Sequence, residues 1–289
     1  MNQSLDATAQ PGTDPAADRG APSEGAFAPA GSQRRTFSVV MLTIAPALGI
    51  VLFLAAWQFV VLFFHIPKYE LPRASDILRG LKDDPGFYIR NSRTTLWEAL
   101  VGFTIALVAG IVGATVMAHS RFVERAVGPL AVFLQVTPII AYAPAMVIWL
   151  GFGFRPIVVI TSIVCLVPFL INGVTGLRAV DPNLLELAHS VDASKLEIFI
   201  QLRLPTALPY LFSAARIAVG LALIGSVLAE FFAGVSSGLG FSVKIALNRN
   251  LALQAWGTVY TLAIAGALAT VLISAIERVV LRWHHTQRA

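Results

Sequence analysis

Long apolar runs separated by short polar stretches set the pattern of this chain. A bilayer core about 30 Å thick takes about 20 apolar residues at 1.5 Å rise each. That ruler predicts six helical spans, roughly Val39–Phe64, Thr95–Ala118, Val127–Leu150, Pro156–Leu177, Ala207–Ala233 and Trp256–Val280. The predicted fold class is an all-α integral membrane bundle, and an even number of spans puts both termini on one side. Residues Met1 to Gln33 are rich in Ala, Pro, Gly, Ser and Asp and lack apolar periodicity. They read as a disordered tail (1–35), with the membrane domain covering 36–289. The run from Val39 is too long for a secretory leader, and no small-residue cleavage site follows it.

Composition agrees with a membrane solvent. The chain is 56% hydrophobic and 13% charged, with mean hydropathy +0.74, against about 25% charged in soluble domains. A net charge of +5 would suggest nucleic acid for a soluble protein. Here basic residues at membrane flanks meeting anionic lipid account for it. Arg216 aside, eleven Lys/Arg fall on the side of the N-terminus and nine on the other, a bias toward cytoplasmic termini in a bacterial inner membrane. The lone Cys165 sits in an apolar run and reads as a packing residue.

The longest polar connection, Arg178 to Pro205, lies between the fourth and fifth spans. Its length marks a segment with a task. Asp181 and Pro182 read as cap and first position of a short helix with Leu184, Leu185, Ala188 and Val191 as its apolar stripe. After a break at Asp192, Ser194 and Glu197 form a capping box for a second helix carrying Leu196, Phe199, Ile200 and Leu202, which Pro205 is expected to end. Two amphipathic helices on the membrane surface are the other reading of this segment, but these helices are short and carry both signs of charge.

The loop resembles that of the permeases of ABC importers. Their pattern is Glu-Ala-Ala, three residues, Gly, nine residues, then Ile, any residue, Leu-Pro. Here Glu186, Leu187, Ala188 and Asp192 stand in the first part, Ala193 begins the nine, and Leu202, Arg203, Leu204 and Pro205 close it. Leu187 and Leu202 are mild departures, whereas Asp192 takes the place of a glycine. The resemblance extends over about 40–285 through Leu71-Pro72, Pro138, Ala141, Pro144, Trp149, Gly151, Gly153, Gly238-Leu239-Gly240, Glu277, Arg278 and Trp283. It is similar to the branch importing nitrate, sulfonates and taurine, whose relatives include carriers of pyrimidine precursors of thiamine. The resemblance implies a type I importer bundle. It also implies a loop (178–205) docking on an ATPase dimer through Glu186, Leu187, Ala188, Asp192, Ala193, Phe199, Leu202, Leu204 and Pro205. The further partners it implies are a second permease copy and an extracytoplasmic solute-binding protein.

No phosphate-binding Gly-x-x-x-x-Gly-Lys-Ser/Thr loop occurs, so ATP and its Mg²⁺ belong on a separate subunit and this chain is not an enzyme. No His, Cys or carboxylate grouping with metal-ligand spacing is found within a span. Arg216 and Glu230 lie inside the fifth span, where a charge costs roughly 2.5–3.5 kcal/mol and so points to function. At 100° and 1.5 Å per residue they are about 40° and about 21 Å apart, so each needs a partner elsewhere. Arg216 reads either as an attractor for an anionic solute or as a residue reaching the membrane surface, and Glu230 likewise has a pathway and a snorkelling reading. Gln135, Thr137 and Tyr142 surround Pro138 and Pro144, where a bent span either lines a cavity or simply packs. With interior charge read in one span only, a self-sufficient secondary transporter is the less favoured class.

Overall fold

A computed structural model describes residues 32–282; Trp283, His284, His285 and most of the expected N-terminal tail lie outside the described residues. By contacts the chain divides at Phe53/Leu54, and the helices after the first all belong to the second unit. The helices are α1 (Ser32–Phe63), α2 (Ala74–Asp83), α3 (Pro85–His119), α4 (Arg121–Val136), α5 (Ile139–Leu150), α6 (Phe154–Arg178), α7 (Pro182–Ser190), α8 (Lys195–Ile198), α9 (Leu204–Glu230), α10 (Leu239–Asn248) and α11 (Ala252–Val280). No strand occurs among the described residues.

Four helices are long and apolar enough to cross a bilayer: α3, α6, α11, and α9 together with the turns leading into it. The bent pair α4 and α5 is long and apolar enough only when the two are taken together, which gives four or five spans, and α1 contributes the shorter apolar stretch Leu48–Phe63. The expected bent third span, Val127–Leu150, is divided into two helices meeting at 104°. Thr137, the residue before Pro138, is extended (φ −70°, ψ 121°), as the proline ring requires of its predecessor. The Thr137 hydroxyl donates to the Phe133 carbonyl at 2.8 Å, which also accepts the Thr137 N–H at 3.0 Å. Pro144 lies within α5 without ending it.

The core is α3, α6 and α9. Glycines let these helices touch. A Cβ on Gly102 would stand 2.6 Å from that of Thr161, and one on Gly173 would stand 2.6 Å from that of Ala114. The matched pairs 102/161 and 114/173 make α3 and α6 parallel, whereas Gly176 against Ala207 and Gly225 against Thr161 make α9 antiparallel to α6. The small-residue ladder of α9, Ala214, Ala218, Ala222 and Ser226, is buried along this contact, and the Cys165 thiol donates to the Ala218 carbonyl at 3.3 Å. Small side chains at a lipid-phase interface allow this close packing. The starts of α3, α6 and α11 and the end of α9 therefore share one end of the bundle, and the 178–205 loop occupies the opposite end.

Besides the two helices of the 178–205 loop, two short helices, α2 and α10, lie outside the predicted spans. In α2, Asp76 pairs with Lys68 at 3.3 Å. At α10, Gly238 (φ 123°) adopts a backbone open to glycine, and a side chain there would collide with Glu230.

Candidate functional site

At the loop end, α7 begins as its sequence dictates. Asp181 Oδ1 accepts the Asn183 N–H at 2.9 Å, and Pro182 occupies the first turn. The helix closes in a Schellman arrangement, with the Asp192 N–H on the His189 carbonyl at 3.1 Å and the Ala193 N–H on the Ala188 carbonyl at 3.0 Å. Asp192, at the position that favours glycine, is left-handed with φ 54°. The capping box of α8 is complete. Ser194 N–H donates to Glu197 Oε2 at 2.7 Å, and Glu197 N–H donates to Ser194 Oγ at 3.3 Å. The bond from the Ser194 backbone and that from its side chain hold the Glu197 carboxyl below its ordinary range.

Pro205 does not end this second helix, as the sequence suggested. The chain widens into a π turn over Phe199–Arg203, and the Leu204 N–H reaches the Phe199 carbonyl five residues back. Pro205 then sits in the first turn of α9, a position that proline tolerates. The loop is thereby fused to the longest core contact of the bundle. Glu186, Leu187 and Asp192 are exposed, whereas Ala188, Ala193, Phe199, Leu202, Leu204 and Pro205 are half-buried toward the bundle. Leu187, Val191 and Leu196 stand 62%, 69% and 67% exposed, and Leu184 and Ile200 of the same loop are exposed as well, so the loop leaves several apolar side chains uncovered. The Arg178 guanidinium grips Glu124 with two 2.8 Å bonds and the Met117 carbonyl with one of 3.0 Å. Those bonds tie the ends of α3 and α6 and the start of α4 at the root of the loop.

Both charges of α9 find partners from other helices. Arg216 meets Glu277 of α11 at 3.4 Å and the Ser213 hydroxyl at 3.4 Å, with its side chain 46% exposed. Glu230 is 1% exposed. It accepts the Thr95 hydroxyl at 2.6 Å and the Phe241 N–H at 3.1 Å. Thr95 Oγ1 in turn accepts the Leu239 N–H at 2.8 Å, and Asn91 Oδ1 accepts the Gly238 N–H at 2.9 Å. Together these side chains satisfy the first turn of α10. Glu98, one turn along α3, is buried beside Glu230 with its Oε2 unpartnered. Interior charge is therefore not confined to one span, and the sequence reading missed Glu98, Thr95 and Asn91. Their one visible signal was a carboxylate four positions inside an apolar run. Of the residues near the α4–α5 break, Gln135 is exposed, Thr137 half-buried, and Tyr142 packs with Ala143, Ile157, Ile160 and Ala229. Among the described residues, no His, Cys and carboxylate group could hold a metal.

The sequence profile of the family described as binding-protein-dependent transport system inner membrane component matches residues 102–285. The chain belongs to this family. It is a multi-pass inner-membrane permease component of an ABC importer, whose ATPase activity and solute-binding protein are separate subunits. The permease is 32% identical over 246 residues to the riboflavin transport system permease protein RibX of Chloroflexus aurantiacus, covering 82% of this chain and 91% of that one. It is 28% identical over 243 residues (84% and 96%) to the formylaminopyrimidine transport permease protein ThiX of Halalkalibacterium halodurans. It is also 31% identical over 191 residues (65% and 71%) to the aliphatic sulfonates transport permease protein SsuC of Escherichia coli, described as putative. In fold it is similar to a chain of the inward-facing MetNI methionine ABC transporter, with a TM-score of 0.60 at 19% identity, covering 68% of the permease and 98% of that chain.

Proposed function

We propose that two copies of this permease, with cytoplasmic termini, form the pathway of an importer for a small anionic solute of the nitrate, sulfonate or taurine class. ATP closure of the partner subunits moves the 178–205 loop, with Glu186, Leu187, Ala188, Asp192 and Ala193 meeting the ATPase. Phe199, Leu202, Leu204 and Pro205 pass the motion into α9. The uncovered apolar side chains of Leu187, Val191 and Leu196 support docking there. The π turn makes the loop continuous with α9, so a push on the loop bears on the helix that carries Arg216.

The observation that carries the anion class is the half-exposed Arg216 midway along α9, held by a single Glu277 oxygen at 3.4 Å. Gln135, Thr137 and Tyr142 at the broken span are the further pathway candidates, and Glu230 anchors the far end of α9. A second reading, an uncharged pyrimidine or flavin-type ring, is favoured by the relatives named for riboflavin and formylaminopyrimidine and by the neutralising Glu277. Solute-stimulated ATP hydrolysis in proteoliposomes, with the cognate binding protein, separates the two. Taurine or nitrate should stimulate, and Arg216→Ala should abolish the effect. Stimulation by riboflavin or formylaminopyrimidine, unchanged in Arg216→Ala, selects the second reading.

A further inference from the structure

Two cavities adjoin at the end of the bundle opposite the 178–205 loop. One, of about 490 Å³, lies between α3, the α9–α10 connection and the start of α11, and is lined by Arg90, Arg93, Ser236, Ser237 and Gln254 among others. The other, of about 1170 Å³, is an apolar groove between α2, α3 and α11, lined by Leu81, Leu96, Trp97, Leu100 and Ile264 among others. They share Arg93 and Thr94. Neither lining includes a carboxylate, and neither arginine makes an ion pair with a described residue.

The depth of these groups matches an amphiphile. Arg93 stands just outside the apolar run of α3, and Trp97 lies one turn further in, at the level where indoles settle in a bilayer interface. Leu100 is about 10 Å beyond Arg93 along the helix. Ile89, Trp97 and Leu100 are 65%, 59% and 54% exposed. Two guanidinium groups one helical turn apart suit a phosphate, whereas the groove behind them suits hydrocarbon. A small inorganic anion would leave the groove empty, and an apolar protein surface would leave two arginines without counter-charge.

We propose that this double cavity binds one anionic phospholipid. Its phosphate sits between Arg90 and Arg93, within reach of the Ser236, Ser237 and Gln254 side chains, and an acyl chain lies along Leu96, Trp97, Leu100 and Ile264. The lipid would fill the space between α3 and α11 beside the α10 anchor.

The test is native mass spectrometry of the full-length permease–ATPase complex released from nanodiscs of equal phosphatidylglycerol and phosphatidylcholine. The wild type should retain phosphatidylglycerol preferentially. Arg90→Gln/Arg93→Gln should lower that preference about thirtyfold, the effect of two basic side chains on an anionic headgroup. Arg90→Lys/Arg93→Lys should keep most of it, which separates lost charge from lost folding. Trp97→Glu should weaken retention of both lipids. An unchanged preference in the double Gln variant overturns the proposal. So does displacement of the lipid by millimolar inorganic phosphate with no effect of Trp97→Glu, since the ligand would then be a free anion. Disulfide formation between Trp97→Cys residues of two permease copies also overturns it, since a second protomer would then cover the groove.

Discussion

Asp192 is the clearest place where the residue departs from the family pattern while the backbone keeps the glycine-favouring turn, and the strain this implies can be measured. The residue closes α7 at φ 54°, and both Schellman bonds depend on that conformation. A left-handed residue with a Cβ costs roughly 1–2 kcal/mol, less for Asp when its side chain bonds locally. The Asp192 carboxylate makes no hydrogen bond or ion pair with the described residues, so this relief is missing. Replacing it by Gly removes about 1 kcal/mol of strain and returns part of that through the freer unfolded chain. The expected net gain is about 0.5 kcal/mol. Asp192→Val, β-branched and without polar compensation, should cost about 2 kcal/mol. The assay is amide hydrogen exchange at positions 192 and 193, the two donors of the motif, in the purified permease. A cost of about 2 kcal/mol corresponds to about thirtyfold faster opening in the Val variant, and the Gly variant should be about twofold slower than wild type. Equal protection in the Val variant and wild type would refute the reasoning, because the left-handed turn would then carry no strain.

The other predictions concern the core, the α10 anchor and the capping box. Glu230→Ala orphans the Phe241 N–H at about 1–3 kcal/mol, leaves the Thr95 hydroxyl only its longer 3.2 Å bond to the Asn91 carbonyl, and opens a void, for a total of about 2–4 kcal/mol. Glu230→Gln keeps one acceptor and should cost about half as much; thermal unfolding in detergent that leaves Glu230→Ala at the wild-type midpoint would count against the anchor. Gly102→Val drives a side chain into Thr161 and should destabilise by about 1–3 kcal/mol or more, read as loss of monodisperse protein on heating. The Glu197 carboxyl titrates below its unfolded value, so the capping box contributes fully above the ordinary glutamate range and is lost as pH falls through the lower folded value. The Ser194 amide NMR shift should follow that titration and lie flat in Glu197→Gln; a titration at or above the ordinary range would contradict the bond.

Local rules made much of this molecule readable. The α3, α6, α9 and α11 helices were visible because each carries an apolar run longer than a bilayer requires. The Asp181 cap, the Ser194–Glu197 box and the turn at Asp192 were visible because they depend on residues within five positions. The break at Pro138 was expected as a bend, but its 104° angle depends on neighbours that the run itself does not specify. Pro205 misled because a proline that ends an α-helix also suits the first turn of the next, and the π turn joins the two. The anchor of Glu230 on Thr95 spans 135 residues, and the Arg216–Glu277 pair spans two helices. Neither leaves a local signature. The α2 and α10 helices were too short for a span-length scan to register.

The central claim is that the 178–205 loop transmits force between a separate ATPase and the α9 helix. Binding-protein-stimulated ATP hydrolysis by the reconstituted complex tests it most directly, comparing wild type with Glu186→Lys. The account predicts that the wild type recruits the ATPase and is stimulated, whereas Glu186→Lys loses both while the permease stays folded. A wild-type permease that recruits no ATPase, or a variant stimulated as well as wild type, would contradict it.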